Sequence, residues 1–132
     1  TEVGKAAVAK EGSDLSIITY GMGVHWALAL AQKHEKHIEV IDLRTLLPWD
    51  KETVEASVRK TNRVLILHED CLTGGIGGEI AAWISEHCFA VLDAPVVRVA
   101  SLDTPVPFAD ALERNFLPKD RLVEKVDQVL SY

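Results

Sequence analysis

The sequence predicts an α/β fold, a three-layer α/β/α sandwich in which helices cover both faces of a sheet of about five strands. Short runs rich in β-branched residues alternate along the chain with segments whose apolar residues recur at helical spacing. Strands that are separated by whole helices pair in parallel through right-handed crossovers. The 132 residues suffice for one domain with its own core, and they contain no internal repeat, low-complexity segment or linker.

The first half of the chain contains three predicted strands and the helix between the last two. An edge segment lies around residues 6–9, and residues 15–20, with the sequence LSIITY, predict a strand that two glycines end. A helix then runs to about His34. Its apolar residues at helical spacing are Val24, Ala27, Leu28, Leu30 and Ala31. Residues 38–43, IEVIDL, predict the next strand.

The rest of the chain predicts three helices and two strands. Asp50 is an expected N-cap, whose carboxylate accepts bonds from the first turn of a helix that ends near residues 61–62. Residues 63–67, RVLIL, predict the most deeply buried strand, and residues 96–99 predict the last one. Two apolar stripes place a helix after the glycine-rich segment and another at the end of the chain. The first stripe comprises Ile76, Ile80, Trp83, Ile84 and His87, and the second comprises Leu122, Val126, Val129 and Leu130.

Composition and charge exclude several classes of function. The formal charge is −6 with no block of Lys and Arg, so nucleic acid is not an expected partner. No apolar stretch is long enough to cross a bilayer, and we see no secretory signal at the start. The first residue is Thr1, so we interpret the chain as a fragment. The net negative charge either keeps the domain soluble or complements a basic surface of a partner protein, and both interpretations stay open.

The cysteines, the isolated histidines and the tryptophans are interpreted as structural. Cys71 and Cys88 have neither C-x-x-C spacing nor nearby paired histidines, which argues against zinc and favours reduced, partly buried thiols in a reducing compartment. Three histidines lack metal-binding spacing and are predicted to be solvated or capping residues, whereas the tryptophans are predicted to pack. These residues are His25, His34, His37, Trp26, Trp49 and Trp83.

The segment TGGIGG at residues 73–78 follows a strand and opens a helix. The free N–H groups and the dipole of such a helix can hold an anion. The segment is nevertheless neither G-x-G-x-x-G nor a P-loop. Glycines also permit close packing of a helix against a strand and positive φ angles, and we favour that structural interpretation.

The segment HED at residues 68–70 lies at the carboxyl end of the central predicted strand, where open α/β sheets place their ligands. A histidine beside two carboxylates is able to do acid–base work. No Ser or Cys nucleophile accompanies it in a known elbow motif. We therefore favour a structural His68 in a hydrogen-bond network over a catalytic one.

Four motifs occur in order along the chain. They are EVIDLRTLLPWD at residues 39–50, HE at 68–69 with LTGG at 72–75, LDAP at 92–95 and DTPVP at 103–107. In this order and spacing they closely resemble the transketolase C-terminal domain of 2-oxo acid dehydrogenase E1 beta subunits, over nearly the whole chain. The HE pair and the IDLRT stretch resemble the branched-chain (2-oxoisovalerate) enzyme more than the pyruvate enzyme.

The resemblance implies one domain over residues 1–132, with a mixed, mostly parallel five-stranded sheet whose first strand is antiparallel. It implies that thiamine diphosphate and Mg²⁺ lie between two other domains of the full enzyme, so that this domain has no catalytic, cofactor-binding or metal-binding residue. In the full enzyme the thiamine carbanion attacks the 2-oxo acid, CO₂ leaves, and the acyl unit passes to the lipoyl group of E2. The domain alone is expected to be inactive.

For the domain itself, the resemblance implies contacts with other E1 domains or subunits, in an α2β2-type assembly or a homodimer, and docking of the E2 subunit-binding domain. Asp93 matches the family carboxylate that pairs with a basic side chain of that E2 domain. Tyr132 matches the last residue, whose terminal carboxylate joins the contact. Glu86 is added from local acidity alone, and without the resemblance Asp93 is an ordinary solvated carboxylate.

Two alternatives stay open. One is a small-ligand or nucleotide-binding α/β module that uses the glycine-rich edge. The other is the same domain from a pyruvate dehydrogenase E1 beta subunit or from another enzyme of the transketolase family. The expected location is the cytoplasm of a bacterium or the mitochondrial matrix of a eukaryote, with neither nucleic acid nor membrane as a partner.

Overall fold

A computed structural model describes residues 2–103 and 118–132 of the chain. Five strands lie between the helices that the periodicity predicts. The strands are β1 (Ala7–Lys10), β2 (Leu15–Thr19), β3 (Ile38–Asp42), β4 (Val64–Cys71) and β5 (Val97–Ser101). The helices are α1 (Met22–Lys33), α2 (Lys51–Thr61), α3 (Ile76–Cys88) and α4 (Lys119–Leu130), and a 3₁₀ turn (Phe89–Val91) follows α3.

The strands form one sheet in the order β1-β3-β2-β4-β5. The edge strand β1 pairs with β3 in the antiparallel sense, and all other pairs are parallel. After β2 the chain therefore adds β3 on one side of β2, and it then crosses back to add β4 on the other side of β2. This arrangement confirms the predicted mixed sheet with an antiparallel first strand.

In the part of the chain that the structure describes, two helices pack on each face of the sheet, which confirms the three layers. Alternate residues of β2 point to opposite faces, so that Ile17 packs with α1 and α4 whereas Ile18 packs with α2 and α3. Both isoleucines are fully buried. A central parallel strand that is covered on both faces requires such a continuous apolar run, and β4 meets the same requirement from Val64 to Leu67.

Two residues, Asp50 and Asn62, determine where α2 begins and ends. Asp50 Oδ1 accepts the hydrogen bond of the Thr53 N–H at 3.1 Å, which confirms the predicted N-cap. Asn62 stops the helix in the left-handed conformation, with φ 62°. Its N–H donates to the carbonyl of Val58 at 2.8 Å, so one of the last carbonyls of the helix has a partner.

Two details differ from the sequence prediction. Strand β4 continues past the predicted end at residue 67 to Cys71, because Cys71 pairs with Ser101 of β5 after an irregularity in the register. The HED segment is therefore inside the strand. On α1 the buried residues are Gly23, Ala27 and Ala31, whereas Leu28 is only partly buried. Small side chains let this helix approach the sheet closely.

The structure also bears on the remaining structural predictions. Cys88 is buried and Cys71 half-buried, as expected for structural thiols. Trp49 and Trp83 pack edge to face with ring centroids 5.3 Å apart, whereas His87, predicted on the apolar face of α3, is exposed. The DTPVP motif lies outside the described residues after Asp103. No helix within the described residues has both the length and the apolarity to span a membrane.

Candidate functional site

The imidazole of His68 is enclosed in the core and has both nitrogens bonded. It is fully buried, its Nε2 accepts the N–H of Gly77 at 3.2 Å, and its Nδ1–H donates to the carbonyl of Asp70 at 3.0 Å. The Gly77 donor requires an unprotonated Nε2, so the neutral Nδ1–H tautomer is the one that fits. The ring thus connects β4 to the start of α3 through a hydrogen bond. This geometry confirms the structural interpretation of His68.

The glycines beside His68 have a steric purpose. A Cβ atom on Gly77 would lie 2.5 Å from His68 Nε2, and one on Gly75 would lie 2.7 Å from His68 Cε1. Gly74 has a φ of +80°, where L side chains are strained. The packing interpretation of the TGGIGG segment is confirmed. Two N–H groups that an anion would use already have partners, because Gly77 donates to His68 and Gly78 donates to the carbonyl of Gly75.

Polar groups near the carboxyl ends of the central strands bond to each other. Tyr20 donates its hydroxyl to Asp70 Oδ2 at 2.9 Å, and its ring stacks on His68 with centroids 6.2 Å apart. Burial is the larger cause, and the hydrogen bond to Asp70 the next, that raises the pKa of Tyr20 above its ordinary value.

Within residues 2–103 and 118–132, no three His, Cys, Asp or Glu side chains are grouped so that they could hold a metal ion. Two of the three isolated histidines are solvated as predicted, and His34 is the C-cap of α1, although its imidazole is only 14% exposed and its Nε2 bonds to Asp127 Oδ1 of α4 at 2.8 Å. His25 and His37 are exposed, and the backbone N–H of His34 caps α1 by donating to the carbonyl of Leu30 at 3.0 Å.

Acid is expected to destabilise the fold through His68. Loss of hydration lowers the pKa of the buried imidazole below that of a solvated histidine, which is about 6.5. The unfolded chain therefore binds a proton more readily than the folded chain. The free energy of unfolding has its full His68 contribution above about pH 6.5 and loses it progressively as the pH falls below that value.

Urea denaturation at several pH values between 7.5 and 5 measures this effect. The His68→Gln variant should be less stable than wild type at pH 7.5 but lose less further stability on acidification. His25 is exposed on α1, so His25→Gln should follow the wild-type pH dependence. Parallel curves for wild type and His68→Gln would show that His68 does not contribute.

The two docking groups that the resemblance implies meet at one arginine. Arg63 Nη2 donates to the main-chain oxygen of Tyr132 at 2.6 Å, and Arg63 Nη1 lies 3.9 Å from Asp93 Oδ2. Asp93 and Tyr132 both stay 58% exposed, whereas the Arg63 side chain is 24% exposed. One guanidinium thus joins two groups from distant parts of the chain, and their outer sides face solvent.

Local structure fixes this rim of Arg63, Asp93 and Tyr132. The left-handed turn at Asn62 directs the chain from α2 into β4, which begins immediately after Arg63. Asn62 also holds the opposite segment, because its Nδ2 donates to the carbonyl of Val91 at 2.8 Å and its carbonyl accepts the N–H of Asp93 at 2.8 Å. Sequence reasoning missed Arg63. No pattern in the sequence signals it, because the residues it joins are adjacent only in the folded chain.

The third predicted docking residue, Glu86, does not join the rim. It is exposed on α3, and no hydrogen bond or ion pair links it to Asp93 or Tyr132 in the part of the chain that the structure describes. Its assignment from local acidity stays a prediction.

A surface groove of about 720 Å³ begins at Asp93. One wall is α3, where Ala81, Ala82 and Ser85 present small side chains, and the other wall is the segment from residue 92 to 98. Phe89 borders the groove and is 75% exposed. Aromatic residues are enriched in surfaces that contact another protein.

Comparison with known proteins places the chain in a family. The family model for the transketolase C-terminal domain matches residues 4–123. The chain belongs to the transketolase C-terminal domain family. This match and the five-stranded mixed sheet agree with the predicted fold class.

Curated relatives of this family member are E1 beta subunits of 2-oxo acid dehydrogenases. It is 45% identical to the 2-oxoisovalerate dehydrogenase subunit beta of Bacillus subtilis, over 92% of this chain and 38% of the relative. It is 45% identical to the mitochondrial 2-oxoisovalerate dehydrogenase subunit beta 2 of Arabidopsis thaliana, over 97% and 36%. It is 43% identical to the pyruvate dehydrogenase E1 component subunit beta of Staphylococcus aureus, over 99% and 41%. The chain thus spans about two fifths of these relatives.

Solved structures agree with the fold. A chain of a split-gene transketolase, described as an inactive beta4 tetramer, superposes with a TM-score of 0.84 at 31% identity, over 99% of this domain and 43% of that chain. A 2-oxoglutarate:ferredoxin oxidoreductase from Magnetococcus marinus superposes with a TM-score of 0.58 at 15% identity, over 96% and 19%. The second similarity concerns the fold alone.

Proposed function

We propose that this domain assembles the E1 component of a branched-chain 2-oxo acid dehydrogenase complex and docks its E2 component. The single observation that carries the docking proposal is the rim, where one guanidinium donates a hydrogen bond to Tyr132 and lies within ion-pair distance of Asp93, and where both residues face solvent. Two exposed acceptors at one place, the Asp93 carboxylate and the main-chain oxygen of Tyr132, suit a basic side chain of a partner, because charge-assisted hydrogen bonds are strong and directional.

The groove next to the rim supports the assembly part of the proposal. Small side chains on α3 allow a second helix to approach, and Phe89 provides an exposed apolar anchor. The split-gene transketolase with 31% identity is described as a beta4 tetramer. We propose that this face contacts another E1 domain or subunit, including a second copy of the domain.

The reaction of the full enzyme is assigned to other parts of the protein. Thiamine diphosphate with Mg²⁺ would supply the carbanion chemistry of 2-oxo acid decarboxylation, and the described residues offer no group of ligands for the metal. We propose that this chain is inactive alone and that the reacting groups belong to other domains of the full enzyme. The proposed location is the bacterial cytoplasm or the mitochondrial matrix.

The branched-chain assignment rests on the HE pair at 68–69, the IDLRT stretch and the 2-oxoisovalerate relatives. The pyruvate relative is only slightly less similar. The preference is therefore tested by substrate, using the complete E1 that contains this chain. Faster decarboxylation of 3-methyl-2-oxobutanoate than of pyruvate is expected, and the reverse order would assign the domain to a pyruvate dehydrogenase.

Docking is tested by replacing one carboxylate. Asp93→Ala should weaken binding of the E2 subunit-binding domain by about 1–3 kcal/mol, because a partner cation loses its charge-assisted bond. Isothermal titration calorimetry of the complete E1 with that E2 domain measures the change. Glu124→Ala, which removes the same charge from an exposed site on α4, serves as the control. Equal affinities for wild type and Asp93→Ala would contradict the docking proposal.

A further inference from the structure

We propose that Arg63 is a positioning residue for docking, which sets the separation and direction of Asp93 and Tyr132 before the partner arrives. This inference rests on the proposed docking function and adds a residue to it. Arg63 lies between the two groups, with one terminal nitrogen directed at each of them. A planar guanidinium can hold two acceptors in a fixed arrangement, whereas a single ammonium cannot.

The backbone of Arg63 is anchored to the sheet. Its carbonyl accepts the N–H of Ser16 at 2.9 Å and the hydroxyl of Thr61 at 3.0 Å. Ser16 lies in the central strand β2 and is fully buried. The guanidinium therefore extends from a residue whose backbone is bonded to the central strand, and it contacts two surface segments.

The nitrogen atoms of the Arg63 guanidinium differ in their contacts. Its Nε is buried and has no hydrogen-bond partner among the described residues. Leaving a buried N–H unbonded is unfavourable. The side chain keeps this orientation nonetheless, with Nη1 toward Asp93 and Nη2 on Tyr132. Among the described residues, the polar contacts of this guanidinium are therefore those of Nη1 and Nη2 with the two docking groups.

The geometry leaves both docking groups available. The distance of 3.9 Å between Arg63 and Asp93 is at the limit of an ion pair, and the Asp93 side chain is 58% exposed. Most acceptor positions of the carboxylate thus face solvent.

The decisive variant is Arg63→Lys, because it keeps the charge and removes the two-pronged contact. We expect its affinity for the E2 subunit-binding domain to fall by about five- to tenfold, measured by calorimetry with the complete E1. Arg59→Lys is the matched control, since Arg59 is exposed and pairs only with Glu55 on its own helix in the described structure. Its affinity should equal that of wild type.

A double-mutant cycle separates positioning from a general loss of stability. The Arg63→Lys change should weaken docking more in the wild-type background than in the Asp93→Ala background, because the part of its effect that passes through Asp93 is absent from the second background. Thermal unfolding of each variant reports folding independently. Unchanged affinity in Arg63→Lys, or equal losses in both backgrounds, would overturn the role of Arg63 while leaving docking at Asp93 intact. Unchanged affinity in Asp93→Ala would instead reject the docking function itself.

Discussion

Replacing Gly77 by alanine is expected to lower the free energy of unfolding by about 3 kcal/mol, the sum of overpacking and a strained hydrogen bond. The added Cβ would lie 2.5 Å from His68 Nε2 and 3.3 Å from Ile66 Cγ2. Neither neighbour has room to move. His68 is fully buried with both ring nitrogens bonded, and Ile66 is in the core of β4. Urea denaturation at pH 7.5 measures the change.

The adjacent glycine provides a matched control. A Cβ on Gly78 would meet its nearest atom, Arg98 Nη1, at 3.6 Å, which is an ordinary contact. Alanine is the better helix former, so Gly78→Ala should leave stability unchanged or raise it by up to about 1 kcal/mol. Equal losses for the two variants would mean that glycine is needed along the whole helix start rather than against His68.

Replacing Glu39 by alanine should also lower the free energy of unfolding by about 3 kcal/mol, because it removes the acceptor of the Ser57 hydroxyl and of the Gly12 N–H from a buried network. The Glu39 side chain is 3% exposed. It accepts the Ser57 hydroxyl at 2.6 Å and the Gly12 N–H at 3.3 Å, and it also pairs with Lys60. Ser57 in turn bonds to Ser16 at 2.6 Å, so the network joins β2, β3 and α2.

A comparison with Glu11 separates the effect of burial on stability from the effect of charge in this network. It pairs with the same Lys60, at 3.0 Å, but its side chain is 81% exposed. Water replaces the partner of an exposed carboxylate, so Glu11→Ala should leave the free energy of unfolding unchanged within error. Chemical denaturation of the two variants under identical conditions makes the comparison. A loss for Glu11→Ala as large as for Glu39→Ala would show that the charge of Lys60, and not burial, governs stability here.

Much of the fold is predictable because apolar periodicity reports burial directly. The run at residues 64–67 predicts a strand covered on both faces, and Asp50 predicts a helix start. The continuation of β4 to Cys71 is not predictable in this way, since it depends on pairing with Ser101 of β5. The close contact of α1 with the sheet through Gly23 is also not predictable from the sequence. Apolar periodicity gives more weight to large side chains such as Leu28 than to glycine.

The candidate site is predictable only in part. Asp93 and Tyr132 follow from motif resemblance, which assigns residues one at a time. Arg63, which joins them, is 69 residues away from Tyr132 along the chain. Only the topology brings the start of β4, the segment before β5 and the end of α4 to the same edge of the domain. The role of the glycines against His68 likewise depends on contacts between elements, although their interpretation as packing residues is confirmed.

The central claim is that this chain connects proteins while the reacting groups lie elsewhere in the enzyme. The most direct test measures release of labelled CO₂ from 1-¹⁴C-labelled 3-methyl-2-oxobutanoate by the chain alone, with thiamine diphosphate and Mg²⁺ added and the complete E1 as the positive control. We expect no release above the blank from a preparation that still binds the E2 subunit-binding domain. Release that depends on thiamine diphosphate would contradict the claim.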